Sequence, residues 1–131
     1  MRRVGAVVAS ILKILSTEIK SGMATRKLDE IAMREIGRYG ARPLFKSYRG
    51  FPAALCVSIN DEVVHGIPGD RMIQEGDLVS LDFGANVDGF HGDAGLTVGV
   101  GNTSVQAKCL LETSRRCLEA AIFKCTMHQC V

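Results

Sequence analysis

No apolar run in this chain of 131 residues approaches the length of about eighteen that a membrane helix needs, so no membrane partner is expected. Internal repeats, linkers and low-complexity stretches are also missing, which points to one folded unit of single-domain length. The start, MRRVGAVVASILKILS, sets two arginines before an apolar stretch, as a secretory signal does. Lys13 interrupts that stretch and no small-residue cleavage site follows, so a signal peptide is not expected. The cytoplasm is therefore the expected compartment, with an organelle as the alternative, and disulfides do not persist there. The five cysteines contain no CxxC pair, which leaves a zinc site at Cys125, His128 and Cys130 without its usual second ligand cluster. The expectation for the crowded Cys109, Cys117, Cys125 and Cys130 is a helix face of small buried thiols, or a tail unrelated to the rest. Basic residues are not interleaved with aromatics, so DNA is not an expected partner.

Hydrophobic residues make up 47% and charged residues 23%, the profile of a globular chain. The net charge of +2 conceals an asymmetry. Residues 1–50 hold eleven Lys/Arg against four Asp/Glu, and residues 51–131 hold five against ten. Such a basic first part could face RNA or a ribosome. The simpler reading is the solvated faces of two helices.

Val4, Val7, Val8, Ile11, Leu12, Leu15 and Ile19 recur at helical spacing, predicting an amphipathic helix over 3–21 that ends near Gly22. Thr25 is a candidate N-cap for a second helix over 26–38, with Leu28, Ile31, Ala32 and Ile36 inward and Gly40 as its stop. Residues 41–53 read as a loop rich in aromatics. Strands are expected at 54–60, 62–67, 78–85 and 90–100, with a turn over Asn86–Gly89. Thr103 or Ser104 can cap a last helix from 105 to about 126.

Between Asn60 and Asp93 lie eight carboxylates and one base, Arg71, which suggests a pocket for a cation. A four-residue loop at Asn86–Gly89 would set Asp82 and Asp93 directly opposite each other, with Cβ atoms roughly 5 Å apart on one face. A bulge would shift that register. Two carboxylates that close repel unless they share a proton or hold cations. Hard oxygen donors suit Mn, Mg, Fe or Zn, and bridging carboxylates suit a two-metal site. The spacing alone is a weak signal, because aspartates often flank turns. His91 shares a face with Asp93 and reads as a supporting or structural residue. His65, in VVHGIP, is either a structural histidine or a donor to a substrate carbonyl or amide.

The stretch GFPAALCVSINDEVVHGIPGDRMIQEGDLVSLDFGANVDGFHGDAGLTVGVG resembles the first half of the type I methionine aminopeptidases. The SIN strand, HGIP, the EGD turn and the aspartate hairpin ending in HGD agree in order and spacing, and the likeness covers residues 1–108. It implies an α/β fold, half of a "pita-bread" architecture, with helices packed on a curved, mostly antiparallel sheet. By position, Asp82 and Asp93 would be metal ligands for two divalent ions (Co, Mn, Fe or Zn), with Asp93 bridging. His65 would be catalytic and would bind substrate near the scissile bond. Tyr48, Phe51 and Cys56, with Phe45 beside them, would line the methionine pocket, where a thioether packs well against ring edges. The implied substrates are the N-terminal Met peptides of nascent chains, with ribosome association as a further expectation.

The family's other ligands, one histidine and two glutamates, come from a second half that is not in these residues. Met1 aligns inside the family's first helix, and the tail CTMHQCV does not resemble the family, so the expectation is a truncated domain with a divergent segment at 109–131. Its parent would be a metal-dependent methionine aminopeptidase and this chain, alone, inactive or nearly so. The alternative is a non-catalytic module of the same fold that binds a ribosome or protein partner.

Overall fold

The computed structural model describes residues 1–126. Helix α1 (Arg2–Glu18) buries Val4, Val7, Val8, Ile11, Leu12 and Leu15, the stripe that the spacing predicts. It stops at Glu18, short of the expected 21. Gly22 takes a positive φ of 82° in the following turn, a conformation natural for glycine. Helix α2 (Thr25–Arg38) buries Leu28, Ile31, Ala32 and Ile36, and Gly40 follows its end with a φ of 61°.

Thr25 does not cap α2 as expected. Ala24 holds that position in extended conformation. The Thr25 hydroxyl instead donates to the Gly69 carbonyl (3.1 Å) and lies 2.8 Å from the Gly69 N–H, while the Thr25 N–H donates to the Arg71 carbonyl. The first turn of α2 is therefore capped by the 69–71 segment. A residue that reads as a local cap is a long-range tie.

Four strands form one sheet: β1 (Arg42–Pro43), β2 (Leu55–Ile59), β3 (Leu78–Val87) and β4 (Phe90–Gly99). All pairings are antiparallel. The hairpin partner β4 runs along one edge of β3, while β2 and the short β1 share the other, opposite 79–83 and 85–86. No strand forms at 62–67, contrary to expectation. That segment loops out with Val63 89% exposed and is tied to β2 at two points, through Glu62 to Ile59 and through Gly66 to Val57 and Ser58.

Alternation along β3 sorts the two faces. Val79, Leu81, Phe83, Ala85 and Val87 are buried, and together with Leu55, Val57 and Ile59 they meet the apolar stripes of α1 and α2. Phe83 is the largest fully buried side chain of this layer. The opposite face carries Ser80, Asp82, Gly84 and Asn86, flanked by Cys56 and Ser58 on β2. This outer face is mixed and polar. Exposed apolar residues lie elsewhere, at Phe90 and Leu96 on β4 and along helix α3 (Val105–Thr126). In α3, Leu110, Leu118, Ile122 and Phe123 are all more than half exposed. The thiols of Cys109, Cys117 and Cys125 are exposed and free rather than buried, because α3 meets the body only near its start. The expected cap is present, with Ser104 Oγ accepting from the Ala107 N–H at 3.1 Å. His128 and Cys130 lie outside the described residues.

Candidate functional site

The hairpin turn holds two residues, Asp88 and Gly89, both at positive φ, with Val87 paired to Phe90. The expected four-residue loop would have shifted every pair. In the register observed, Asp82 faces Gly95 and Asp93 faces Gly84. The two aspartates are thus diagonal neighbours rather than opposite ones. They still share the outer face, since their positions differ by two along the same ladder. Carboxylates reach each other across such a diagonal.

Their electrostatics follow from that. Burial, the neighbouring Asp93 charge and a hydrogen bond with Asp93 push the Asp82 carboxyl up from its ordinary 3.8 to about 6, against an opposing pull from His65. Cys56 pairs with Asp82 on the β2 side, and burial together with the charges of Asp82 and Asp93 pushes its thiol up to about 11. Cys56 is thus a neutral apolar group at neutral pH, not a thiolate.

Of the other six carboxylates of this acidic segment, Asp61 is exposed to solvent and five have structural partners. Glu62 accepts from the Ile59 N–H and pairs with Arg71, and Asp70 pairs with Arg26. Glu75 holds the Asn102 N–H, and Asp77 accepts from Gln74 N and Asn60 Nδ2. Asp88, at the hairpin tip, pairs with Arg3 of α1 at 2.7 Å. Among the described residues, neither Asp82 nor Asp93 forms a salt bridge. The eight-carboxylate pocket that the sequence suggests therefore reduces to a pair.

A cleft of about 610 Å³ opens beside Asp82, lined by Phe45, Tyr48, Phe51, Cys56 and His65, and also by Arg49, Gly50, Pro52 and Ile67. Every pocket residue singled out from the sequence is present. Asp93 is not among the lining residues and adjoins the cleft through Asp82. Of the four additional lining residues, Ile67 belongs to HGIP and Gly50 and Pro52 to the family-like stretch, while Arg49 lies just outside it. Another cavity, of about 580 Å³ at the α1–α2 elbow, contains none of these residues.

Three local devices build the cleft. The Leu44 N–H donates to the Gly84 carbonyl at 3.0 Å, which lays the 44–45 segment over Gly84. A Cβ on Gly84 would stand 3.1 Å from the Phe45 ring. Phe45 and Phe51 then meet edge to face, centroids 6.5 Å apart at 88°. On the other wall, Gly66 donates to Ser58 Oγ (3.1 Å), and its carbonyl accepts from the Val57 N–H (2.9 Å). A Cβ there would sit 2.1 Å from the Val57 carbonyl oxygen, so only glycine lets the loop approach. That clamp fixes His65, itself left-handed at φ 61°, beside the cleft. Finally, the Ala54 N–H donates to Asp29 of α2 at 2.7 Å, anchoring the entry to β2 and Cys56. His91 is exposed and pairs with Asn86 on the same face as Asp93.

The donor chemistry at Asp82 and Asp93 suits a hard divalent cation, which would relieve the repulsion that raises Asp82. The set is partial, since no group of three or more His, Cys, Asp or Glu side chains gathers as a metal site among the described residues.

The chain matches metallopeptidase family M24 over residues 1–128. It is 48% identical over 118 residues to methionine aminopeptidase 1 of Bacillus subtilis, covering 90% of this chain and 48% of that protein. It is 47% identical over 123 residues to methionine aminopeptidase 1 of Mycobacterium tuberculosis, covering 93% and 46%. Among solved structures, methionine aminopeptidase from Thermotoga maritima superposes with a TM-score of 0.90 at 37% identity, over 93% of this chain and 49% of that one. The chain spans about half the length of the curated relatives it matches. The architecture is the α/β, antiparallel half of a pita-bread fold.

Proposed function

Because this chain belongs to metallopeptidase family M24, we propose that its outer sheet face is part of the metal centre of a methionine aminopeptidase acting on nascent chains. One observation carries the reading. Two carboxylates that form no salt bridge among the described residues share a face, and the raised one lines an aromatic, thiol-walled cleft. Asp82 and Asp93 would hold divalent cations, two in the complete centre and drawn from Co, Mn, Fe or Zn. Bound there, such ions supply Lewis acidity and a nucleophilic water at neutral pH.

The chain's own groups divide the remaining work. Phe45, Tyr48, Phe51 and the neutral Cys56 offer a thioether side chain an apolar, polarizable lining that excludes water. His65 is the catalytic residue on this side of the cleft and donates a hydrogen bond to the substrate carbonyl or amide. Peptides with N-terminal Met are the substrates, the cytoplasm is the compartment, and ribosome contact through the basic first fifty residues is secondary. The segment 109–131 is the divergent part of the domain. Two carboxylates leave the coordination of two ions incomplete, so this chain alone turns over little or no substrate.

Calorimetric titration with Mn²⁺ tests the centre. Binding tighter than about millimolar that disappears in Asp82→Asn and in Asp93→Asn is expected. Binding that survives both substitutions overturns the assignment. Methionine release from Met-Gly-type peptides by this chain with added Mn or Co, abolished by Asp93→Asn, would overturn the claim of inactivity.

A further inference from the structure

Arg49 is the one Lys or Arg side chain among the residues that line the cleft. Its guanidinium carbon lies 5.6 Å from the centre of the Tyr48 ring, a cation–π arrangement that holds the charge against the exposed wall. Among the described residues Arg49 forms no salt bridge, whereas Arg3, Arg26, Arg34, Arg38, Arg71 and Arg115 each do. Its backbone is left-handed, φ 48° and ψ 33°, within a turn where Ser47 and Gly50 are also at positive φ. Arginine gains nothing from that conformation, and such backbone outliers gather at ligand sites.

The cleft is therefore electrically polar. Its sheet floor carries Asp82 beside buried Cys56, and its exposed wall carries Arg49. A cavity of about 610 Å³ has the size of a whole small ligand rather than of one side chain. The guanidinium shares the cleft with the acidic floor at which the amino end of a bound peptide would lie. We propose that Arg49 is a specificity-determining residue that favours peptides bearing a carboxylate shortly after the leading residue. This rests on the cleft being the peptide site. The carboxylate can come from an acidic side chain or from the free C-terminus of a short peptide, since a guanidinium fork accepts either.

The test is peptide binding to the full chain, followed by amide chemical shifts of the ¹⁵N-labelled protein. Four probes separate the sources: Met-Ala-Gln amide, Met-Ala-Glu amide, Met-Ala-Lys amide and Met-Ala-Ala with a free C-terminus. The Glu peptide is expected to bind about three- to fivefold more tightly than the Gln peptide, and the Lys peptide more weakly, as an exposed ion pair allows. A matching gain for the free C-terminus marks the second source, and its absence confines the preference to side chains. Arg49→Asn keeps a residue that tolerates left-handed backbone and removes the charge, so the Glu/Gln ratio should fall to about one. Arg49→Lys should restore part of it. If the Gln peptide shifts the amides of Phe51, Cys56 and His65 while Glu gives no advantage, the role of Arg49 is overturned and the cleft assignment stands. An advantage that persists in Arg49→Asn overturns it equally. If no peptide perturbs the cleft, the underlying assignment fails, and this inference with it.

Discussion

Asp82 opposes folding near neutral pH in the role that the proposed centre requires of it. Its carboxyl, raised from 3.8 to about 6, holds its proton more tightly in the folded chain than in the unfolded one. The folded state therefore carries the extra proton between about pH 4 and pH 6, and stability falls as pH rises through that window. With solvent screening allowed for, the loss is about 1–2 kcal/mol in the absence of cations. Asp82→Asn should raise the melting temperature at pH 7 by about 3–6 °C and flatten the profile from pH 4 to 6. Added Mn²⁺ should raise the melting temperature of the unsubstituted chain and not of the variant. Differential scanning calorimetry at several pH values reads both effects, and an unchanged slope in Asp82→Asn would assign it elsewhere. Gly66→Ala makes a different demand at the same scale. Its new methyl would collide with a backbone carbonyl rather than a flexible side chain, so the loop must leave β2. The expected cost is about 1–3 kcal/mol by denaturant unfolding, with altered amide shifts at Val57, Ser58 and His65.

At the scale of elements, α1 and α2 were legible in the sequence because one buried stripe each, against a solvated remainder, is a local property. The α1 stripe from Val4 to Leu15 is complete as predicted. The register of the hairpin was not legible. Asn86, Asp88 and Gly89 are all turn formers, and only the positive φ at Asp88 and Gly89 selects a two-residue turn. That choice moved Asp93 from opposite Asp82 to opposite Gly84 without changing its face, which is why the carboxylate pair remained readable. The segment 62–67 misled for a related reason: Val63, Val64 and Ile67 suit a strand by composition but remain exposed, and the positive φ of His65 breaks extended geometry. Thr25 misled because its partner lies 44 residues away. Arg49 belongs to no motif, and only the cleft reveals it. In α3 the exposed Leu118 and Ile122 form surface that invites self-association. Leu118→Lys with Ile122→Lys should raise solubility while changing stability by no more than about 0.5 kcal/mol, as light scattering and thermal melts would show.

For the whole molecule, the helix face and the outer face carry separate tasks. Phe83 sits at the centre of the first, fully buried between sheet and helices, and Phe83→Ala should cost about 3–5 kcal/mol. Loss of the cooperative far-ultraviolet melt would register it, whereas Asp93→Asn on the other face should leave that melt in place. The outer face holds two carboxylates in a chain that spans about half of its relatives. Mixing it with the C-terminal half of the Bacillus subtilis relative should tighten Mn²⁺ binding at least tenfold and suppress the association driven by α3. Unchanged affinity in the mixture would count against a shared centre.

The clamp at Gly66 also determines where the chain tolerates a change of length. Residues 61–64 are exposed, whereas Gly66 is tied to Val57 and Ser58 by two hydrogen bonds and Thr25 is tied to Gly69 by two more. A residue inserted between Glu62 and Val64 can bulge into solvent while His65 keeps its place. One inserted between Gly66 and Gly69 must break one tie or the other. Natural length variation in this segment should therefore collect before the histidine and vanish after it, leaving the distance from His65 to the start of α2 as the measure along which descendants of this fold cannot drift.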